Sequence, residues 1–344
     1  MTNPIRIGLF GFGRIGRNIF RIGYRDSRFQ FVAISDLAEA ESLYYLLMRD
    51  SVHGPMEDDI QLDGNYLTYD NHRIRLLQGT TSPAEIPWDA FDVDVVIDAT
   101  GKFLKYSDLS GHIQGGAKRV FVTTPPEDKV DRVVIMGINE KEISLEDKVI
   151  SATSSTTQVL ALMLKILDEH FGVKRALMTT VHAYTADQPL ADATRSDFRR
   201  SRSAVENIIP NMTPSPAIVE SLMPKFKGKI DGIAFNVPVP DGSAVDLTTE
   251  LEKVPAVEEV NQVVKEASEG VLANIVGYTE DPIVSSDVIG VSESMIFDAK
   301  ATIITAKSLL KTVCWYDNGW GFSKRILELI DSYCCLENGK EVTL

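Results

Sequence analysis

The stretch IRIGLFGFGRIG, residues 5–16, limits the folds open to this chain more than any other. Its near-continuous apolar run reads as a buried strand. Three glycines, Gly11, Gly13 and Gly16, then lead into a helical pattern from about Arg14 to Tyr24. Glycines at this spacing allow a tight turn, let backbone amides approach a pyrophosphate, and permit close packing of helix on strand. The helix N-terminus favours the anion. A second strand, FQFVAISD, ends at Asp36, where a carboxylate accepts hydrogen bonds from a ribose diol and repels a 2′-phosphate. The motif therefore points to NAD rather than NADP.

The same alternation continues. VDVVIDATG (93–101) and KRVFVTT (118–124) read as further strands of a parallel sheet. From Thr156 to His170 the apolar residues Val159, Leu160, Met163, Leu164, Ile166 and Leu167 recur at helical spacing, with Ser154 or Ser155 as N-cap. Beyond that helix, RALMTTVHAYT (175–185), GIAFNVPVP (232–240), SAVDLTTELEK (243–253) and SMIFDA (294–299) are strand-like. The tail from Gly321 to about Tyr333 returns to helical spacing and is expected to pack back on the first domain. No internal repeat interrupts the pattern. The fold class expected is α/β, a dinucleotide-binding domain plus an α+β catalytic domain.

A chain of 344 residues is long enough for two cores of ordinary size. Its 49 acidic residues against 35 basic ones, net −14, argue against an extended nucleic-acid face. No apolar run reaches the roughly 20 residues of a membrane span. The N-terminus shows no signal-peptide pattern. Cys314, Cys334 and Cys335 make a poor disulfide framework and fit a reducing compartment, so the cytoplasm is the expected location. No metal site and no membrane or nucleic-acid partner is expected. The segment RSDFRRSRS places Arg195, Arg199, Arg200 and Arg202 close together, as a solvated loop or as an anion or subunit contact.

Two further features carry chemistry. His182, ending TTVHAYT, is a candidate base, although a lone histidine is more often structural, and His53, His72, His112 and His170 rank below it. The cluster SSTT at a helix start serves either as a cap or as a phosphate cradle.

Taken together, GLFGFGRIGRN, RDSVHG (49–54), DATGKF (98–103), SATSSTTQ (151–158), VHAYTADQ (181–188), ENIIPNMT (206–213), AFNVPVPDGSAVDLT (234–248) and WYDNGWGFSKR (315–325) make the chain resemble the phosphorylating glyceraldehyde-3-phosphate dehydrogenase family over essentially its whole length. The resemblance implies a Rossmann domain of residues 1–154, completed by the C-terminal helix (about 317–344), and a catalytic domain of residues 155–316. It implies a homotetramer that oxidises an aldehyde phosphate through a thioester and uses inorganic phosphate. Arg14, Ile15 and Asp36 would hold the adenosine half of NAD. Thr100, Thr123 and Asn318 would lie along its nicotinamide half, with Gly101 a further cofactor-binding candidate, and segment 185–206 would line a neighbouring subunit's site. His182 would be the base. Thr185 would serve one anion site, and Thr156, Arg202 and Thr213 the other, with Ser154 and Asn236 as further substrate-side candidates.

The chain departs from the family pattern at several of these places. Ser155 stands where the family has its nucleophilic cysteine. A thiol with a pKa near 8.5 keeps a few per cent of thiolate at neutral pH, whereas a hydroxyl near about 15.7 is ionised on the order of ten-millionfold less. His182 could still act as base, but an ester would replace the thioester, and turnover is expected to be impaired. Asn236 stands where the family has a phosphate-binding arginine. Pro214 removes a backbone donor, Asp187 adds a negative charge, and Gln158 and Gly319 replace Asn and Glu. Divergence explains these changes together. The alternatives are a catalytically silent NAD-binding protein with a regulatory or assembly role, or a dehydrogenase for a different aldehyde.

Overall fold

In the computed structural model, which describes residues 4–305, 308–337 and 339, the chain divides into two units. The first takes in the chain up to Val134, then Glu140–Thr153 and the C-terminal helix from Ser323; the second takes in Ile135–Asn139 and Ser154–Phe322.

The first unit is built on a nine-stranded sheet. Seven strands run parallel in the order Arg132–Val133, Val149–Ser151, Arg119–Val122, Val95–Asp98, Ile5–Phe10, Phe29–Asp36 and His72–Gln78, and the hairpin strands Tyr66–Tyr69 and Gln61–Asp63 extend one edge. The apolar runs are continuous because most strand positions are buried on both faces: Ile7, Leu9, Ala33, Ile34, Val96 and Ile97 are fully covered. After Ile5–Phe10 the chain builds outward on one side, then returns to place Val95–Asp98 on the other. This reversal of strand order opens a crevice at the carboxyl ends of those two strands, where doubly wound sheets bind ligands.

The second unit holds an eight-stranded mixed sheet. Its main path runs Ile209–Asn211, Ile230–Val237, Val173–Ala183, Ser243–Leu251, Leu309–Tyr316, Met295–Asp298 and Val276–Thr279, and Ile303–Thr305 pairs with Leu309–Tyr316. Helices Ser155–Phe171, Ser215–Leu222 and Val257–Glu269 pack as a layer on one face. Strand Val173–Ala183 shows why the two faces differ. Ala176, Met178 and Thr180 are buried under the helices, while Leu177 and Val181 alternate with them and stay exposed on the outer face.

The C-terminal helix, Trp320–Glu337, is longer than its periodicity suggests. Its Tyr333 ring meets Phe121 edge-on at 6.1 Å and its Asp331 pairs with Arg28, all within the first unit. The strand read over 93–101 ends at Asp98. There the carboxylate accepts from the backbone N–H of Thr100 at 3.0 Å and bends the chain into a turn, which local hydropathy does not encode.

Candidate functional site

In the first unit, the crevice forms around Gly11. Its φ of +90° suits glycine, and a Cβ there would lie 2.8 Å from the backbone nitrogen of Thr100. At Gly16 a Cβ would stand 2.2 Å from the carbonyl oxygen of Gly11, so the helix approaches the turn as closely as it does only with glycine. Gly13, by contrast, faces open space and is the N-cap of helix Arg14–Gly23 with no side chain over the helix start. The positive end of the helix dipole there favours an anion.

Asp36 is anchored by the N–H groups of Phe12 (2.6 Å) and Ala38 (3.1 Å). It lines a recess of about 240 Å³ together with Phe10, Gly11, Gly13, Thr100 and Phe103. Glycine turn, acidic strand end and open helix terminus are the donor and acceptor set a dinucleotide requires, so the residues fit it. Arg14 and Ile15 stand at the half-buried start of the helix. Gly101 follows Thr100 with φ +68°, and Thr123 is buried at the end of the next strand, its N–H on the carbonyl of Asp98. Asn318 belongs to the second unit, where its side-chain oxygen accepts from Ser243 at 3.1 Å and its N–H reaches Asp241.

The second unit collects the remaining candidates. Thr153, the last residue of the first unit's segment Glu140–Thr153 and β-branched at φ +58°, precedes helix Ser155–Phe171 and its N-cap. Ser154 is the N-cap: its hydroxyl accepts from the N–H of Thr157 at 3.3 Å and lies 2.7 Å from the Thr157 hydroxyl. Ser155 is therefore the first helical residue, half-buried at the positive end of the dipole. Thr156 is committed elsewhere. Its hydroxyl is 2.7 Å from that of Tyr316, which is also 3.0 Å from Thr180.

His182 lies two residues beyond Thr180, with its ring edge-on to Tyr316 at 6.2 Å. Its Nδ1 is 2.6 Å from the carbonyl oxygen of Ala183. A carbonyl only accepts, so Nδ1 carries the proton of the neutral ring and Nε2 is the basic nitrogen. Asn236 is the register partner of His182 on the neighbouring parallel strand, and its amide donates to the same carbonyl at 3.5 Å.

Most of the anion-binding candidates are paired with groups of their own segment. Thr185 donates its hydroxyl to Asp187, and Asp187 also pairs with Arg200. Arg202 pairs with Asp192 at 3.0 Å, and Arg195 reaches the carbonyl of Asp187. These three arginines of the loop thus have carboxylate or carbonyl partners from the same segment. Thr213 precedes helix Ser215–Leu222, whose N-cap is Pro214, and its hydroxyl accepts from the N–H of Ser215 at 3.3 Å. Pro214 and Pro216 contribute no N–H there, so this helix terminus offers an anion little.

Sequence reasoning misses Tyr316, although it lies inside WYDNGWGFSKR. Burial pushes its hydroxyl up in pKa, opposed by hydrogen bonding with Thr156, Thr180 and Ser243, and it links the helix start to the His182 strand. Only the third dimension joins residues separated by 160 positions. The thiols lie apart from this chemistry: burial holds Cys314 above its ordinary range, and burial, with Glu337 next, pushes Cys334 up to about 12. A second recess, about 570 Å³, lies around Arg175, Leu177, Lys229, Asp231 and Leu309, and none of the candidate residues lines it. Among the described residues no helix is long and apolar enough to cross a membrane.

Comparison with known proteins bears on both units. Residues 5–106 match the family model described as glyceraldehyde 3-phosphate dehydrogenase, NAD binding domain, and residues 154–318 match its C-terminal domain. The chain is 42% identical over 326 residues to glyceraldehyde-3-phosphate dehydrogenase of Priestia megaterium, covering 94% of this chain and 97% of the relative. It is 41% identical over 326 residues to glyceraldehyde-3-phosphate dehydrogenase 1 of Bacillus subtilis, again covering 94% and 97%. With the Streptomyces coelicolor enzyme the identity is 43% over 328 residues, with the same coverage.

Proposed function

Because this chain belongs to the glyceraldehyde-3-phosphate dehydrogenase family and carries its NAD-binding domain, we propose that it is an NAD-dependent aldehyde dehydrogenase whose acyl-forming step is impaired by Ser155. The observation that carries the reading is the hydroxyl at the first position of helix Ser155–Phe171, in a unit where His182 presents Nε2 as a base. Gly11, Gly13, Arg14, Ile15, Gly16, Asp36, Thr100, Gly101, Thr123 and Asn318 are the cofactor-binding residues of this proposal. NAD, when bound, accepts the hydride of the oxidation.

The chain's own part is proton handling. His182 Nε2 takes the Ser155 proton as the oxygen attacks the aldehyde carbon, forming a hemiacetal alkoxide, and loss of hydride from that carbon leaves an ester on Ser155. Inorganic phosphate then displaces the serine oxygen, which recovers a proton from His182. The helix dipole stabilises negative charge on Ser155, but this is a small correction against a deficit on the order of ten-millionfold in ionised nucleophile. Replacing Ser155 by Cys and following NADH formation with glyceraldehyde 3-phosphate and phosphate tests the proposal. Robust NADH formation supports it, and none with this aldehyde or any unphosphorylated one, on a protein that binds NAD, removes it.

A second reading, oxidation of an aldehyde that carries no phosphate, is favoured by one observation: the Thr185 hydroxyl is engaged by Asp187 while Asn236 supplies an amide in place of a cation. A doubly charged substrate would have to displace a carboxylate. A panel of phosphorylated and unphosphorylated aldehydes on the Ser155→Cys variant separates the two readings.

We also propose a homotetramer. The outer face of the second sheet exposes Leu177, Val181 and Leu309, apolar side chains that a subunit contact would cover.

A further inference from the structure

Behind the recess that holds Asp36 and Thr100 lies a buried polar chain that none of the foregoing chemistry uses. Trp88 and His112 are 0% exposed and Asp98 is 1% exposed. The indole N–H of Trp88 meets Nδ1 of His112 at 3.0 Å. An indole nitrogen can only donate, so Nδ1 accepts and the ring proton sits on Nε2, which points at Oδ2 of Asp98 at 3.4 Å. The other oxygen, Oδ1, accepts from both the N–H (3.0 Å) and the hydroxyl (2.6 Å) of Thr100. The Thr100 hydroxyl in turn accepts from the N–H of Lys102 at 3.2 Å.

The same histidine supports the aromatic wall. Its ring stands edge-on to Phe10 at 5.0 Å, and Phe10 stacks on Phe103 at 5.7 Å. Phe10, Thr100 and Phe103 all line the recess, whereas Trp88, His112 and Asp98 do not. The anchor of the chain is fixed in turn: a Cβ at Gly8 would come within 2.6 Å of the Trp88 ring, so the indole packs closely on the first strand where it lacks a side chain.

We propose that Trp88, His112 and Asp98 form a positioning relay that holds Thr100, Phe10 and Phe103 in the arrangement that receives the adenosine end of the dinucleotide. The adenosine end is specified because Asp36, the ribose-binding carboxylate, lines the same recess. Thr100, which the family resemblance sets along the nicotinamide half, shares that recess with it. An apolar trio of similar volume would pack this region as well as three polar groups do, since buried polar networks seldom add net stability. What the polar chain adds is direction: it ends on one hydroxyl and one amide at the recess wall, and pre-set walls bind more tightly than walls that must be ordered by the ligand. The relay rests on the assignment of this recess to NAD.

The test is calorimetric titration of the full-length protein with NAD and with AMP. His112→Leu should raise both dissociation constants about tenfold. His112→Gln, whose amide can still donate to Asp98, should stay within about threefold of the parent. His112→Leu combined with Thr100→Val should lose clearly less than the product of the two single losses, because the relay acts in part through that residue. If His112→Leu does not fold, Asp98→Asn takes its place; an amide N–H facing the His112 N–H should weaken AMP binding to a similar degree. A folded His112→Leu or Asp98→Asn protein with a lowered melting temperature and unchanged AMP affinity would overturn the proposal, as would losses that multiply with Thr100→Val. Failure of the unmutated chain to bind NAD is a separate outcome, which removes the cofactor assignment itself.

Discussion

The glycine turn of the first unit and the anion-binding loops of the second respond to the same demand, holding negative charge, in opposite ways. At the glycine turn the helix start is left without a side-chain cap: Gly13 faces open space, and Asp36 reaches only as far as the Phe12 N–H. In the second unit the candidate anion ligands are satisfied internally, Thr185 by Asp187, Arg202 by Asp192, and the Ser215 N–H by Thr213. A site left open costs little to fill, whereas a site already paired must give up a hydrogen bond for each one it makes. The contrast predicts a retained coenzyme and an altered substrate.

The sharpest way to break the comparison is at Ser155. Replacing it by Cys should raise the rate of NADH formation by at least about a thousandfold, because the thiolate fraction rises by far more than any loss from imperfect placement; stopped-flow absorbance reads this directly. Next in size, Asp36→Ala should weaken NAD binding about 10- to 100-fold by calorimetry, since it removes a charged acceptor that the Phe12 and Ala38 amides hold in place. On the substrate side, Asn236→Arg in the Ser155→Cys background should lower KM for a phosphorylated aldehyde about tenfold and leave an unphosphorylated one unchanged. An equal effect on both aldehydes would dissolve the distinction between the two units.

A smaller effect concerns acid stability. The carboxyl of Asp50 is held well below the ordinary range, first by the His53 side chain, then by the N–H groups of His53 and Val52. A carboxyl depressed in the folded state contributes stability fully above its unfolded value, about 3.9, and loses it as pH falls through the lower folded value. The melting temperature should therefore fall between about pH 4 and more acidic conditions, and Asp50→Asn should flatten that limb in a thermal melt series. Smallest of all, Cys314 and Cys334, both raised by burial, should resist alkylation at neutral pH in intact-mass measurements.

What can be read from the sequence follows the range of each interaction. The glycine turn is legible because its constraint is local: strand, φ-permissive residue and helix start lie within a dozen positions. The helix at 155–171 is legible for the same reason, leaving only the choice between Ser154 and Ser155 as cap. His112 ranks low in the sequence because its partners, Trp88 and Asp98, meet it only through the fold. Tyr316 escapes for a like reason. The arginine loop stands open between solvation and anion contact because the balance depends on Asp187 and Asp192, and sequence proximity does not reveal which charges pair.

The most direct measurement is a pair of calorimetric titrations of the unmutated protein, one with NAD and one with inorganic phosphate. The account predicts saturable NAD binding and far weaker phosphate binding, with a dissociation constant in the millimolar range or above. Tight phosphate binding with no NAD binding would contradict it.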